Sequence, residues 1–170
     1  MTVGTVSISF SDLFAADSRQ TETILFDIRL PRILLAICVG AVLSSTGAVM
    51  QGLFRNPLAD PSLIGVSSGA SVGASLMIVA AGGFIQSGAL LGLSLVAVGA
   101  FVGGFVATLL VYRLATSGIG TSVTTMLLAG IAIAAIAGAL NSLLSYFSDN
   151  DMLRQISLWQ MGNLSGASWT

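Results

Sequence analysis

The sequence contains no histidine and no lysine, and its single cysteine, Cys38, lies inside an apolar run. Without histidine, the chain lacks the usual proton shuttle of catalytic sites and the commonest metal ligand. Without lysine, it cannot form the G-x-x-x-x-G-K-[ST] loop that cradles nucleotide phosphates. One cysteine allows neither an internal disulfide framework nor the paired spacing of a zinc site. We therefore expect no catalytic residues, no cofactor and no metal, and we expect any ATP hydrolysis to be done by another protein.

Charge is scarce as well, at 8% of the residues, whereas a typical soluble domain is about 25% charged. Hydrophobic residues make up 55% of the chain, and the mean hydropathy is +0.96. Because the apolar runs are long rather than short and alternating, they predict an all-α, polytopic membrane helix bundle and not an outer-membrane barrel. With a net charge of -1 and no basic patch, nucleic acid is not an expected partner; the lipid bilayer is.

Four apolar segments are predicted to cross the bilayer, at about residues 33–54, 62–81, 89–112 and 123–147. The first has 22 residues, which is long enough for a hydrocarbon core of roughly 30 Å. A short amphipathic helix is expected at about 151–162, lying along the membrane surface. Residues 1–28 are too polar to cross a bilayer and form an aqueous segment.

The stretch from Gln51 to Ser71 is predicted to turn between the first two membrane segments. Pro57 disfavours a helical conformation at Asn56, so the first helix ends there. Asp60 can then accept from the free amides of a new helix, and Pro61 suits its first position because no donor is needed there.

Small residues recur along the predicted membrane helices. The second helix carries a glycine at every fourth position and several serines, so we expect it to be buried, with another helix approaching to backbone contact. A similar ladder is predicted on the fourth helix. The packing candidates are Gly65, Gly69, Gly73, Gly130 and Gly138. The match of residues 65–69 to G-x-S-x-G does not indicate a hydrolase, because that motif needs a histidine base.

Three polar side chains stand out against the apolar background. Asn141 lies deep in the fourth helix, where an amide facing lipid would cost several kcal/mol; a helix–helix hydrogen bond is favoured over contact with a transported molecule. Arg29 and Arg32 are three residues apart and can share one face. They either anchor the chain at the interface or dock an acidic partner.

Four stretches are more specific: RLPR at 29–32, QGLFRNPLADPSLIGVSSGAS at 51–71, MLLAGIAI at 126–133 and LRQISLWQMGNLSGASW at 153–169. Together they resemble the FecCD-type permeases, which import iron-siderophores, haem and cobalamin in bacteria. The second stretch, preceded by Met50, and the fourth are most similar to the haem-importing branch.

The resemblance implies a multi-pass permease of the bacterial inner membrane that is not itself an enzyme. A second copy would complete a homodimer, cytoplasmic ATPase subunits would supply energy, and an extracytoplasmic binding protein would deliver iron-siderophore or haem. Cargo would move through the dimer interface by alternating access. Which chelate is carried is left open by the sequence.

The resemblance also implies roles for particular residues. Residues 1–28 would be extracytoplasmic and 29–170 a partial permease domain, with Arg29 and Arg32 docking the binding protein. The fourth helix, with Asn141, would line the cargo path. The inner-gate region would comprise Thr121, Ser122, Val123, Thr124 and Thr125.

Compared with the family, the chain is expected to be an N-terminal half that lacks the first helix and cannot couple ATP hydrolysis to transport alone. The positive-inside rule favours the opposite orientation from the family's, but a margin of two arginines is small and we adopt the family orientation. The alternative is a stand-alone four-helix membrane protein with a structural or regulatory role. In the count for the positive-inside rule, one predicted side of the membrane carries Arg19, Arg29, Arg32 and Arg154, and the other side carries Arg55 and Arg113.

Overall fold

A computed structural model of the chain describes residues 23–57, 59–81, 90–118, 120–164 and 166–169. Within these ranges the chain forms α-helices joined by short turns, with one small hairpin, so the predicted all-α membrane bundle is confirmed. Residues 1–22 of the predicted polar segment lie outside the described residues. The last part of that segment is a π-helical turn, Thr23–Arg29, that leads directly into the first helix.

The described elements have the following order along the chain. After the π-helical turn come α1 (Leu30–Phe54), a 3-10 turn (Pro61–Ile64), α2 (Val66–Ala80), α3 (Leu90–Ala115), β1 (Thr116–Ser117), β2 (Gly120–Thr121), α4 (Val123–Tyr146) and α5 (Asn150–Met161). Strands β1 and β2 pair antiparallel, so a small hairpin joins α3 and α4.

Three helices in the described residues are long and apolar enough to cross a membrane: Thr23–Phe54, Ser94–Ala115 and Val123–Tyr146. Helix α2 has 15 residues, which is roughly 22 Å and shorter than a hydrocarbon core. The continuous helix expected over 62–81 is instead divided, because Gly65 has φ 79° and separates the 3-10 turn from α2. The second predicted crossing therefore starts with a change of helix type.

By compactness, the chain falls into two units. One comprises the residues up to Ser45 together with those from Asn163, and the other runs from Thr46 to Gly162. The first unit contains the π-helical turn and most of α1, whose serine hydroxyls donate to carbonyls four residues earlier, as at Ser44 and Gly40 (2.7 Å). Most apolar side chains on this part of α1 are exposed.

The core of the second unit lies between α2, α3 and α5. Ala74 and Ile78 of α2 pack with Val96 of α3 and with Ile156 of α5. Met152 and Trp159 of α5 pack against the same cluster. These side chains pack on protein because α2 offers them a surface of small side chains, so α5 is part of the bundle.

Candidate functional site

Helices α2 and α3 meet along a seam of glycines. A Cβ added at Gly73 would overlap the carbonyl oxygen of Gly99, and one at Gly69 would overlap the carbonyl oxygen of Gly103 and the methyl group of Ala107. The two backbones are therefore in direct contact, which requires glycine at these positions. We call Gly69, Gly73, Gly99 and Gly103 the glycine seam.

The other three packing candidates lie in different surroundings. A Cβ at Gly130 of α4 would overlap the carbonyl oxygen of Leu63, so α4 touches the backbone of the 3-10 turn. A Cβ at Gly65 would meet Ile133 at an ordinary 3.4 Å, and the positive φ is what favours glycine there. At Gly138 a Cβ would meet no atom within 4 Å. Within the described chain no atom therefore packs on Gly138, and its packing role stays a prediction.

An apolar groove of about 440 Å³ runs beside the seam and is lined by α2, α3 and α4. Its walls are aliphatic side chains and its floor is the backbone of the seam. No charged residue lines it among the residues described. The walls include Val72, Leu76, Val102, Val106, Ile133 and Leu140.

Three polar side chains from three helices meet at Ser71. Asn141 Nδ2 of α4 donates to Ser71 Oγ of α2 at 3.0 Å, and Gln160 Nε2 of α5 donates to the same oxygen at 3.3 Å. A hydroxyl oxygen has two acceptor lone pairs, so it can accept both bonds. Asn141 Oδ1 is buried and has no hydrogen-bond partner among the described residues. We call Ser71, Asn141 and Gln160 the polar node.

The node explains how an amide is accommodated in an apolar bundle. The favoured interpretation of Asn141, a hydrogen bond between helices, is what its Nδ2 makes. A second cavity of about 500 Å³ lies beside the node and is lined in part by Ser67, Ser71, Trp159 and Gln160. Contact of Asn141 with a transported molecule stays a prediction.

The hydrogen bond within the node is expected to couple Asn141 and Ser71 energetically. In a double-mutant cycle, N141A and S71A should show a coupling of about 0.6 kcal/mol, the average for hydrogen bonds between membrane helices. Unfolding in mixed detergent micelles would supply the four free energies. The hydrogen bond from Gln160 to Ser71 is longer and exposed, so the coupling energy between Q160A and S71A should be smaller than that between N141A and S71A. An equal or larger coupling energy for Q160A would contradict this ranking.

The turn after α1 is built as the sequence predicts. Helix α1 ends at Phe54, and the N–H of Asn56 donates to the carbonyl of Gln51 at 3.2 Å. Asp60 accepts from the N–H of Ser62 at 2.7 Å, with Pro61 at the first position of the 3-10 turn. The predicted cap is confirmed. Hydrogen bonds from the side chain and backbone of Ser62 lower the pKa of Asp60 below its ordinary value of 3.8.

Acidification is expected to loosen this turn. Because the fold lowers the pKa of Asp60, the carboxylate stabilises the fold above its ordinary pKa, and that contribution is lost as the pH falls through the lowered value. Hydrogen exchange at the Ser62 amide, corrected for intrinsic rates, should speed up over that acid range. Asp60→Asn is the matched control, since asparagine caps equally well but does not titrate; the same pH dependence in this variant would rule Asp60 out.

Arg55 is the one residue other than glycine with a positive φ, 50°, in the described chain. The left-handed region costs an L-residue about 1–2 kcal/mol, and glycine is the usual solution at a helix end. Arg55→Gly should therefore raise the free energy of unfolding by about 0.5–1 kcal/mol, after allowance for the greater freedom of glycine in the unfolded chain. Arg55→Ala removes the same charge but keeps Cβ. If Arg55→Ala raises the free energy of unfolding as much as Arg55→Gly does, loss of the charge and not relief of the backbone conformation is responsible.

The predicted inner-gate residues lie at the start of α4, beside the hairpin. Ser122 Oγ accepts from the N–H of Thr125 at 3.3 Å and caps the helix. The N–H of Ser122 donates to the carbonyl of Ala115 at 3.0 Å, and the hydroxyls of Thr116 and Thr121 are 3.0 Å apart. The connection is thus a closed, hydrogen-bonded corner. The exposed residues of this region are Thr121, Ser122, Val123, Thr124 and Thr125.

The predicted docking pair lies in the first compact unit. Arg29 is the last residue of the π-helical turn and is partly buried, while Arg32 lies in the first turn of α1 and is exposed. Their docking role stays a prediction. Within the part of the chain that the structure describes, no group of three or more His, Cys, Asp or Glu side chains could hold a metal ion. The arrangement offers packing surfaces, an apolar groove and a polar node.

Sequence reasoning missed the partners of the residues that it selected. Gly99 and Gly103 have the same spacing of four as Gly69 and Gly73, and that shared spacing was the available signal for the seam. Ser71 and Gln160 are 89 residues apart, and nothing local in the sequence connects either of them to Asn141.

The chain is similar in sequence to known transport proteins. The model of the FecCD transport family matches residues 1–170. The hemin transport system permease protein HmuU of Yersinia pestis is 44% identical over 169 residues, which are 99% of this chain and 49% of the relative. The cobalamin import system permease protein BtuC of Halobacterium salinarum is 43% identical over 148 residues, 87% of this chain and 38% of that protein.

A solved structure is similar over nearly the whole chain. It is described as an inward-facing conformation of a metal-chelate type ABC transporter, with a TM-score of 0.77 and 34% sequence identity. The similarity covers 99% of this chain and 49% of that one. The chain thus spans about half the length of the relatives that it matches.

Proposed function

Because the chain belongs to the FecCD transport family, we propose that it forms part of the membrane-spanning permease subunit of an ATP-driven importer. The observation that carries the proposal is the family match over residues 1–170. It is supported by three described helices that are long enough to cross a membrane. One of them, α3, packs against the shorter α2 through the glycine seam. The chain would be no enzyme, and separate cytoplasmic ATPase subunits would hydrolyse ATP.

The proposed cargo is a bulky metal chelate, either haem or an iron-siderophore. Support comes from the relatives: one is named for hemin transport, and the similar structure is described as a metal-chelate type transporter. A cobalamin permease is almost as similar, at 43% identity against 44%. Sequence identity is therefore nearly equal for the haem and cobalamin classes of cargo, and uptake by chimeric permeases separates them.

Transport would proceed by alternating access in a homodimer within the bacterial inner membrane. Asn141 would lie on the cargo path, and residues 121–125, held by the hairpin, would lie near the inner gate. Arg29 and Arg32 would dock an extracytoplasmic binding protein. A guanidinium group suits this role, because its planar fork both attracts and orients a carboxylate.

A chimeric permease tests the proposal. The residues of HmuU that align with this chain would be replaced by this chain, and a matching chimera would be made with BtuC. Each would be expressed with its own system's other components in a strain lacking the original permease. The HmuU chimera should support ATP-dependent uptake of radiolabelled haem, and the BtuC chimera should support less uptake of cobalamin relative to its parent.

Membrane levels of both chimeras, measured by immunoblot, provide the control for expression. If both chimeras are present at parental levels and neither supports uptake, the permease assignment fails. If the BtuC chimera retains the greater share of its parent's activity, the permease assignment stands, but the cargo is of the cobalamin class.

A further inference from the structure

The π-helical turn before α1 contains a carbonyl that lacks its regular donor. In a π-helix the N–H of residue i+5 donates to the carbonyl of residue i, so the carbonyl of Phe26 would receive the N–H of residue 31. That residue is Pro31, which has no N–H. The π-helical pattern therefore supplies no donor to the Phe26 carbonyl.

Trp169 supplies the donor. Its indole Nε1–H donates to the carbonyl oxygen of Phe26 at 2.7 Å, across 143 residues of sequence. Both residues belong to the same compact unit. The Trp169 side chain is 58% exposed, so burial alone does not hold the ring in place. We call this hydrogen bond the clasp.

We propose that Trp169 is a positioning residue for Arg29 and Arg32. Arg29 ends the π-helical turn, three residues after Phe26, and Arg32 directly follows Pro31. A bond that holds the Phe26 carbonyl holds the backbone that carries both arginines. The inference rests on the proposed function, in which this pair docks an acidic partner.

The position of the backbone matters because of the kind of contact that arginine makes. A guanidinium group binds a carboxylate through two parallel N–H···O bonds of fixed geometry, unlike the point charge of an ammonium group. Two such groups that act together need a defined separation and direction. The clasp provides a fixed point at the turn that precedes them.

The first experiment asks whether the clasp exists, using the full chain in phosphatidylcholine nanodiscs. Phe-Asp occurs once in the sequence, at Phe26 and Asp27, so ¹³C-carbonyl phenylalanine with ¹⁵N-aspartate isolates the Phe26 carbonyl by NMR. Trp169→Phe keeps an aromatic ring but removes the N–H, and it should shift this signal. Pro31→Ala gives residue 31 an N–H, so W169F combined with P31A should restore it.

The second experiment measures docking in the same nanodiscs, whose lipids carry no net charge. The probe is fluorescein-labelled hexaglutamate, and its affinity is measured by fluorescence anisotropy. Trp169→Phe should weaken binding roughly three- to tenfold, the range expected for loss of one hydrogen bond. The W169F/P31A double variant should return to within about twofold of the unsubstituted chain. Replacing Arg29 and Arg32 together by alanine should abolish binding.

Each outcome decides a separate step. An unchanged Phe26 signal in W169F overturns the clasp, and failure of P31A to restore the signal assigns the effect to the aromatic ring instead of its N–H. A shifted signal with unchanged peptide affinity overturns the positioning role and leaves docking intact. If the double arginine variant still binds the peptide, docking fails and the positioning role fails with it, while the Phe26 signal still decides on the clasp.

Discussion

Gly73→Ala should destabilise the bundle by about 2 kcal/mol, the middle of the range for overpacking a tight interior. The added methyl group would overlap the carbonyl oxygen of Gly99, and a backbone carbonyl cannot swing away as a flexible side chain can. Helices α2 and α3 must therefore separate, which opens the seam and the groove beside it. Equilibrium unfolding in mixed detergent micelles measures the change.

Gly47→Ala on α1 is the matched control, because a Cβ there would meet no atom of the described chain within 4 Å. Alanine is better than glycine in a helix interior by up to about 1 kcal/mol, so this variant should be neutral or more stable. The two substitutions are chemically identical, and the predicted effects have opposite signs. If Gly73→Ala is as stable as Gly47→Ala, the backbones of α2 and α3 are not in contact.

Gly130→Ala is expected to have the second-largest effect, again a loss of about 2 kcal/mol. A methyl group at this position of α4 would overlap the carbonyl oxygen of Leu63 in the 3-10 turn and would approach Ile64 Cα to 3.4 Å. The 3-10 turn would be displaced from α4. Hydrogen exchange of the amides at 62–65 should therefore speed up along with the loss of global stability.

Gly138→Ala is the control on the same helix, where a Cβ has open space. It should leave exchange at 62–65 unchanged. If Gly130→Ala and Gly138→Ala change hydrogen exchange at 62–65 equally, the substitution of a glycine anywhere on α4 accounts for the result, and contact of Gly130 with the 3-10 turn does not. If Gly138→Ala alone is destabilising, an element that lies outside the described chain covers that face.

Parts of the fold could be predicted because they depend on chemistry within a few residues. The helix end near Asn56 and the cap at Asp60 follow from proline's missing N–H and from a carboxylate two residues before a free amide. Membrane insertion follows from composition. The division of the second helix at Gly65 could not be predicted, because glycine tolerates both helical and left-handed conformations and only packing selects one.

The candidate site was predictable by residue type and not by partner. A deep asparagine must find a hydrogen bond, but Ser71 was one hydroxyl among several. The sequence predicts an amphipathic helix at about 151–162, but the period of its apolar face is the same whether that face meets lipid or another helix. Only the structure shows that Ile156 packs with residues of α2 and α3, and the position of α5 along the membrane surface stays a prediction.

Composition and short-range pattern suffice to establish a helical membrane protein, the helix end near Asn56, the cap at Asp60 and the glycines able to permit close contact. These features depend on solvation and on the chemistry of a few neighbouring residues. The three-dimensional arrangement alone selects which glycines meet a neighbour: Gly73 and Gly130 do, and Gly138 does not. It likewise joins Trp169 to Phe26. These pairings depend on where distant segments come to lie, and a glycine, a serine or an indole N–H carries no local mark of its eventual partner.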